Sequence, residues 1–170
     1  MKYDPDKHHR RPIRLRGYDY SSAGAYFVTI CAQDRMSLFG TICDGITQLN
    51  AAGQMVAGEW QGLVERFPGI DLDEYVVMPN HFHGILVINN PPRVALGDMI
   101  GAFKSITTQK YIQGVQHEEW PPFERRVWQR NYHEHVIRDE ADLQHIRDYV
   151  ATNPQKWELD QLHPDNPSKW

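Results

Sequence analysis

The amino-acid sequence predicts an α+β domain with a ferredoxin-like antiparallel sheet, the split βαβ pattern. Two observations support this prediction. Short segments rich in β-branched and aromatic residues alternate along the chain with longer segments in which apolar residues recur at helical spacing. Once one small hairpin is set aside, these segments run in the order strand, helix, strand, strand, helix, strand and helix. The expected architecture is a sheet with helices packed on one face and one added C-terminal helix.

The first half of the predicted domain contains a strand, a small hairpin and a helix. Residues 25–32 form an apolar run rich in β-branched and aromatic side chains, which is typical of a buried strand. Residues 38–49 contain two short runs around an Asp-Gly pair, and this pattern favours a hairpin. Asn50 is expected to cap a helix over 51–67, because its side-chain oxygen can accept from the first free amides.

The second half contains a longer hairpin, a helix, a strand and a final helix. Residues 71–78 and 81–88 are β-branched runs joined by a Pro-Asn turn, so they predict two adjacent strands. Apolar residues at helical spacing predict a helix over 96–115. The later part of 127–138 is predicted to be a strand. Asp139 is predicted to cap the final helix, which ends at an Asn-Pro pair.

Length and composition indicate one globular domain. The 170 residues are enough to enclose a core, and no apolar run approaches the length of a membrane span. The N-terminus lacks a secretory signal pattern, and Cys31 and Cys43 form no zinc-binding motif, which together favour a reducing cytoplasm. The formal net charge of −4 gives no overall indication of nucleic-acid binding, so such binding must come from local basic patches.

The chain divides into a basic N-terminal arm over 1–22, a domain over 23–154 and a tail over 155–170. The arm mixes basic and aromatic side chains, which is typical of a nucleic-acid footprint, although a solvated terminus would also explain it. Lys104 and Arg130 are predicted to line a DNA path, and a solvated face is again the alternative. The arm residues predicted to bind DNA are Arg10, Arg11, Arg14 and Arg16.

The Pro-Asn turn is followed directly by His81, Phe82 and His83. Residues two apart in a strand point to the same face, so the two imidazoles should lie side by side while Phe82 enters the opposite layer. Two adjacent imidazoles can form half of a metal site. A pair of ordinary surface or core histidines is the alternative interpretation. His133 and His135 repeat the spacing and are interpreted as rim or packing residues.

Tyr149 and Asn153 lie one turn apart on the final predicted helix, beside its apolar stripe. Taken separately, they would be an amphipathic core tyrosine and a helix-ending asparagine. Taken with His81 and His83, Asn153 completes a set of two imidazoles and one amide oxygen with open positions. Such a set suits Mg²⁺ or Mn²⁺ bound to a phosphate oxygen. The Tyr149 hydroxyl would then stand beside that phosphate as a nucleophile.

These motifs resemble those of a known family. Residues 76–85, which read VVMPNHFHGI, resemble the HUH motif of single-tyrosine transposases, and residues 128–138 and 149–154 resemble their C-terminal signature. Within that family the resemblance is to the REP-associated tyrosine transposases, which are linked to repetitive extragenic palindromes. It extends over residues 18–157.

The resemblance implies that His81, His83 and Asn153 bind Mg²⁺ or Mn²⁺ and that Tyr149 is the nucleophile. It also implies hairpin-containing single-stranded DNA substrates, cleaved through a covalent 5′-phosphotyrosine that leaves a free 3′-OH. Other members of the wider family carry glutamine in place of Asn153, so the reach of this shorter side chain to the metal is open. Tyr132 is a competing tyrosine, but it lies on a predicted strand and lacks a ligand one turn away.

Two other candidate functions stand beside the strand transferase, and the complete set of site residues favours the transferase over the first of them. One alternative is a domesticated DNA-binding protein that recognises repetitive palindromes without cutting them. The other is a different HUH endonuclease, such as a replication initiator or a relaxase, which the short chain argues against. The expected setting is the bacterial cytoplasm at the nucleoid, as a monomer or homodimer. The short link before the final helix favours Tyr149 acting within its own subunit.

Overall fold

The computed structural model describes residues 17–89 and 94–166. Within these ranges, no helix is both long enough and apolar enough to cross a bilayer. Most of the predicted basic arm lies outside the described residues, including Arg10, Arg11, Arg14 and Arg16.

The described part of the chain contains the predicted strands, the small hairpin and the predicted helices. In chain order the strands are β1 (Gly24–Cys31), β2 (Gly40–Cys43), β3 (Ile46–Leu49), β4 (Ile70–Met78), β5 (His81–Ile88) and β6 (His133–Ile137). The α-helices are α1 (Ala51–Gln61), α2 (Leu63–Arg66), α3 (Leu96–His117) and α4 (Glu140–Thr152), and a 3₁₀ helix (Asn153–Leu159) follows α4. The helix predicted over 51–67 is divided at Gly62 into α1 and α2, in keeping with the low helix propensity of glycine.

Two predicted helix caps are present. The Asn50 side chain accepts from the amide of Gly53 at 2.9 Å, at the start of α1. The Asp139 side chain accepts from the amide of Asp142 at 2.8 Å, at the start of α4. Each cap satisfies an amide that has no partner inside its own helix, so both helices begin where the sequence predicted.

The main sheet has four strands in the order β4-β5-β1-β6, and every neighbouring pair is antiparallel. The strands β2 and β3 form a separate two-stranded sheet. With α1 and α3 as connections, the strand order is that of the ferredoxin-like split βαβ fold. The predicted fold class is therefore confirmed.

The larger core lies between the sheet and the helices α1 and α3. Val28 and Ile30 of β1 and Phe82 of β5 point into this layer. The Phe82 ring lies 4.6 Å from the Trp60 ring of α1 and 5.5 Å from the Phe103 ring of α3, measured between centroids. Burying side chains of this size stabilises a fold by about 1.5–3 kcal/mol each, so this layer holds the central strands against the two helices.

The added helix α4 packs on the opposite face of the sheet. Ile85 of β5 forms a second small core with Ile146 and Val150 of α4, and Phe27 borders it. Because side chains alternate along a strand, Phe82 enters the first core and Ile85 enters the second. The helices α1 and α3 thus share one face, as predicted, and the helix that carries the predicted nucleophile covers the other.

The C-terminal segment, residues 153–166, packs against the domain. The sequence predicted a tail from residue 155 onward, but Trp157 is buried. The Nδ2 atom of Asn80 donates to the carbonyl of Leu162 at 2.7 Å, across 82 residues of sequence. Residues 155–166 of the predicted tail thus contact the domain, through anchors that are distant in sequence and leave no local pattern.

Gly84 of β5 allows the Trp60 ring to pack directly against the strand. A Cβ atom at residue 84 would lie 2.7 Å from the Trp60 ring and 2.7 Å from the Phe82 ring. We expect Gly84→Ala to destabilise the fold by about 1–3 kcal/mol through overpacking. Gly58→Ala is the matched control, because Gly58 is exposed in α1 with open space around it and should gain up to about 1 kcal/mol. Chemical denaturation measures both, and a Gly84→Ala variant as stable as the wild type would contradict the prediction.

Candidate active site

His81 and His83 lie at the start of β5, on the face that α4 covers. Their ring centroids are 4.6 Å apart, whereas Phe82 enters the opposite core. Both histidines are buried, with relative exposures of 0% and 2%. The predicted side-by-side arrangement is present, and the burial excludes a pair of surface histidines.

Each imidazole is oriented by a hydrogen bond at Nδ1. His81 Nδ1 lies 2.8 Å from Asn80 Oδ1, and His83 Nδ1 lies 2.8 Å from Thr29 Oγ1 on β1. The Nδ2 atom of Asn80 donates to two backbone carbonyls, which leaves its Oδ1 atom to accept from His81. His81 therefore carries its proton on Nδ1, and its Nε2 atom has a free lone pair.

Three buried polar atoms at this site have no hydrogen-bond partner among the described residues. They are the Nε2 atoms of His81 and His83 and the Oδ1 atom of Asn153. Leaving one such atom unpaired costs about 1–3 kcal/mol, so three in one place need an explanation. Two imidazole nitrogens and one amide oxygen are donors that a divalent cation accepts. These residues therefore fit a divalent cation, which the resemblance implies is Mg²⁺ or Mn²⁺.

Burial keeps both imidazoles neutral. Removal from water lowers the pKa of His81 to about 4, although the charge of Asp160 and the Asn153 side chain act in the opposite direction. Removal from water also lowers the pKa of His83 well below its ordinary value of 6.5, and His81 adds to this effect. At neutral pH both rings are unprotonated at one nitrogen, which is the state that metal binding requires.

Tyr149 lies on α4 beside His83 in the same chain, with ring centroids 5.3 Å apart. The residue is 40% exposed, so its ring is accessible from solvent. Partial burial and the charge of Asp160 raise the pKa of Tyr149 above 10.0, while the Asn153 side chain lowers it. The hydroxyl is therefore protonated at neutral pH and needs activation to act as a nucleophile.

An ion pair between Arg147 and Asp73 ties α4 to the edge strand β4. Arg147 donates to the two carboxylate oxygens, from Nε at 2.9 Å and from the terminal nitrogen at 2.6 Å. Asp73 lies at an irregularity in the β4/β5 pairing between Leu72 and Tyr75. A bidentate pair restrains orientation as well as distance. It therefore helps to set where α4 presents Tyr149 to the sheet.

A cavity of about 890 Å³ opens beside Tyr149. Its walls come from β1 and the turn after it, β5, β6 and the segment before it, α4 and the C-terminal segment, and they include charges of both signs. Arg35 and Lys156 are the cationic residues of the lining, and Asp34 and Asp160 are the acidic ones. A cavity of this volume is within the usual range of binding pockets. It can therefore accommodate part of a DNA strand next to the tyrosine.

A second histidine pair lies on β6. His133 stands opposite Thr29 in the β1/β6 pairing and lines the cavity. The Nε2 atom of His135 lies 2.9 Å from an Asp142 carboxylate oxygen in the first turn of α4. His133 therefore borders the cavity, whereas His135 contacts the start of α4.

Sequence reasoning missed Thr29, Asn80 and Asp160. Thr29 reaches His83 only through the β1/β5 register, which brings together residues 54 positions apart. Asp160 lies in the predicted tail, yet its ligand atom and those of both imidazoles lie within 4.8 Å of one another. Of these three residues, only Asn80 could have been found from the sequence, because it lies directly before His81 in the motif.

A family model described as "Transposase IS200 like" matches residues 61–153, which is more than half of the 170 residues. The chain belongs to the IS200-like transposase family. The matched range contains all four residues predicted for the site: His81, His83, Tyr149 and Asn153. The range that matches the family therefore includes the four candidate residues of the site described above.

Two Haemophilus influenzae proteins are similar to this transposase. One, named "Uncharacterized protein", is 38% identical over 96% of this chain and 98% of its own length. The other, provisionally named a REP-associated tyrosine transposase, is 28% identical over 81% of this chain and 74% of its own length. The predicted resemblance to REP-associated tyrosine transposases is thereby confirmed.

Two solved structures are similar in fold to this transposase. One is a REP-associated tyrosine transposase bound to a REP hairpin, with a TM-score of 0.60 and 23% identity over 84% of this chain and 73% of that chain. The other is a crystal structure from Deinococcus radiodurans, provisionally named a transposase, with a TM-score of 0.52 and 17% identity over 81% of this chain and 95% of that chain. At these identities the likeness shows the shared fold.

The structure gives Lys104, one of the predicted DNA-binding residues, an intramolecular role. Its Nζ atom donates to the carbonyls of Gln129 and Arg130 at 2.7 and 2.9 Å, and burial lowers its pKa. Lys104 thereby holds the segment before β6. Among the described residues, the cavity lining contains neither Lys104 nor Arg130, and its cations are Arg35 and Lys156.

Asp73→Asn is expected to loosen α4. Hydrogen bonds from Arg147 lower the pKa of Asp73 below its ordinary 3.8. The stabilisation is therefore complete above that value and is lost as the pH falls through the lowered pKa. We expect a loss of up to about 1 kcal/mol at neutral pH, faster hydrogen exchange in α4, and a weaker loss of stability at acidic pH than in the wild type.

The matched control for this prediction is Glu140→Gln. Glu140 lies 3.7 Å from Arg147 but its side chain is 81% exposed, so its loss should leave exchange in α4 nearly unchanged. Hydrogen exchange followed by mass spectrometry measures both variants. If α4 exchanges equally slowly in Asp73→Asn and in the wild type, the ion pair does not hold the helix.

Proposed function

We propose that this transposase cuts and rejoins single-stranded DNA through Tyr149, with Mg²⁺ or Mn²⁺ held by His81, His83 and Asn153. One observation carries the proposal. Three buried lone-pair atoms, unpaired among the described residues, lie at the site where α4 brings Tyr149 beside His83. A purely structural core would leave those atoms unpaired at a cost in stability. A metal site accounts for them.

The chain's own residues prepare this site before any substrate arrives. Asn80 and Thr29 bind the Nδ1 atoms of the two histidines, so that both Nε2 atoms remain available as ligands. The ion, when bound, neutralises and orients a phosphate oxygen of the DNA. The helix α4 presents the Tyr149 hydroxyl within the same chain, and we therefore propose that the nucleophile acts in its own subunit.

In the proposed reaction the Tyr149 oxygen attacks the phosphorus of a phosphodiester. The new O–P bond forms as the bond from phosphorus to the 3′ oxygen breaks, which yields a 5′-phosphotyrosine and a free 3′-OH. The phenolic proton leaves to solvent, which can reach the residue because it is 40% exposed. The departing 3′ oxygen takes up a proton. Attack by a 3′-OH on the phosphotyrosine then rejoins a strand.

We propose hairpin-containing single-stranded DNA, of the kind formed by repetitive palindromes, as the substrate. Two findings support this choice: a relative provisionally named a REP-associated tyrosine transposase, and a solved structure of the same fold bound to a REP hairpin. The proposed setting is the cytoplasm, at the nucleoid. Further DNA contacts are proposed for Arg130 and for the arm residues Arg10, Arg11, Arg14 and Arg16.

Tyr149→Phe is expected to abolish the covalent protein–DNA adduct and leave hairpin binding largely intact. The substitution removes only the attacking oxygen and preserves the ring beside His83. Incubation with labelled hairpin DNA and Mg²⁺ or Mn²⁺, followed by denaturing gel electrophoresis, measures the adduct. Tyr132→Phe is the matched control and should form the adduct as the wild type does.

The outcomes of that experiment separate the candidate functions. An adduct that persists in Tyr149→Phe would contradict the assignment of Tyr149 as the nucleophile. A wild-type protein that binds the hairpin but forms no adduct with either ion supports the non-cleaving DNA-binding protein instead.

Thr29→Val is expected to weaken Mn²⁺ binding about 10–100-fold, because it removes the hydroxyl that orients His83. Thr29→Ser keeps the hydroxyl and should bind Mn²⁺ nearly as the wild type does. Isothermal titration calorimetry measures both affinities. Equal affinities in Thr29→Val and Thr29→Ser would show that this hydrogen bond does not position the ligand.

A further inference from the structure

Asp160 brings a carboxylate from the C-terminal segment to the two imidazoles. Its Oδ2 atom lies 3.8 Å from the Nε2 atom of His81, and only 8% of its side chain is exposed. The ligand atoms of Asp160, His81 and His83 all lie within 4.8 Å of one another. The preceding residue, Leu159, is 85% exposed, whereas the Asp160 side chain points toward the site.

The C-terminal segment holds this carboxylate in place. The amide of Leu162 donates to Oδ1 of Asp160 at 2.7 Å. The amide of Asp160 donates to the carbonyl of Trp157 at 3.0 Å, and the Asn166 side chain donates to the carbonyl of Asp160 at 2.6 Å. One carboxylate oxygen thus closes a turn, while the other faces His81.

The charges around this carboxylate are of both signs, since Arg35 and Lys156 line the same cavity. Among the described residues, the one ion-pair contact within 4.0 Å of the Asp160 carboxylate is with the His81 ring, at 3.8 Å. A nearly buried anion is costly unless a cation pairs with it. A divalent cation bound by the imidazoles would supply that charge, and carboxylate oxygen is a preferred ligand of Mg²⁺ and Mn²⁺.

We infer that Asp160 is a fourth ligand of the ion, in addition to His81, His83 and Asn153. This inference rests on the proposed function, because it concerns the same ion. It adds a negatively charged ligand to a set that is otherwise neutral, and it makes the C-terminal segment part of the site. Ion binding and packing of residues 157–166 are then coupled, so each stabilises the other.

The competing explanation is that Asp160 only closes the turn to Leu162. Asp160→Asn separates the two roles, because asparagine retains an oxygen that can accept from the Leu162 amide but lacks the negative charge. Asp165→Asn is the matched control: it makes the same change in the same segment, on a side chain that is 92% exposed.

The experiment measures Mn²⁺ binding to the full-length protein by isothermal titration calorimetry and by the electron paramagnetic resonance signal of free Mn²⁺. We expect one ion per wild-type chain, affinity reduced about tenfold or more in Asp160→Asn, and wild-type affinity in Asp165→Asn. Thermal unfolding without added metal verifies that each variant is folded. Addition of Mn²⁺ should also slow hydrogen exchange over residues 157–166 in the wild type.

The outcomes distinguish this inference from the proposed function. Wild-type affinity in Asp160→Asn would overturn the fourth ligand and leave the three-residue site intact. A wild-type protein that binds no Mn²⁺ would overturn the proposed metal site itself, and with it the role of Asp160.

A second measurement needs no variant. Fe²⁺ bound in place of Mn²⁺, with ascorbate and peroxide, cleaves the backbone close to the ion, and mass spectrometry locates the cuts. We expect cuts near residues 80–84 and near residues 158–162. Cuts near 80–84 without cuts near 158–162 would overturn the assignment of Asp160 even if Asp160→Asn does not fold.

Discussion

Alternation of side chains along β5 is the constraint on which the site depends. Phe82 points into the core, where it packs against Trp60 and Phe103. Because neighbouring side chains alternate along a strand, His81 and His83 therefore point to the other face. A shift of one residue in the register of β5 would bury the imidazoles under α1 and α3 and turn Phe82 toward α4. The apolar core therefore determines which face of the sheet carries the two histidines.

Burial of the two imidazoles makes this face suited to metal binding and costly to maintain. Removal from water keeps His81 and His83 neutral, but it also leaves their Nε2 atoms unpaired among the described residues. Such groups are expected where stability has been given up for function. The hydrogen bonds between the Nδ1 atoms and the side chains of Asn80 and Thr29 limit this cost to one nitrogen per ring.

Placement of the tyrosine involves different contacts from placement of the histidines. The helix α4 is held through Ile146 and Val150 at the small core and through Arg147 at the edge strand. The C-terminal segment then contributes Asp160 and Leu162 to the wall of the cavity beside the site. Asp160 lies beyond the range that matches the IS200-like family, residues 61–153, so the family match alone gives no indication of it.

Local pattern was sufficient for the order of the strands and α-helices and for which candidate site residues lie next to each other. Periodicity of two placed His81 and His83 together, and one helical turn placed Tyr149 beside Asn153, because these relations follow from backbone geometry alone. Capping chemistry likewise located the starts of α1 and α4.

Contacts between distant segments could not be predicted in this way. The sequence contains no periodic signal that joins Thr29 to His83 or Asn80 to Leu162, which are 54 and 82 residues apart. A lysine such as Lys104 is expected to lie at the surface. Only the tertiary structure shows that its Nζ atom donates to the carbonyls of the segment before β6. The sequence by itself thus determined the ferredoxin-like order of elements and the two halves of the site, since both are local. The tertiary structure decided how those halves meet, which partners orient the imidazoles and that Asp160 joins them, since each depends on packing between segments remote in the chain.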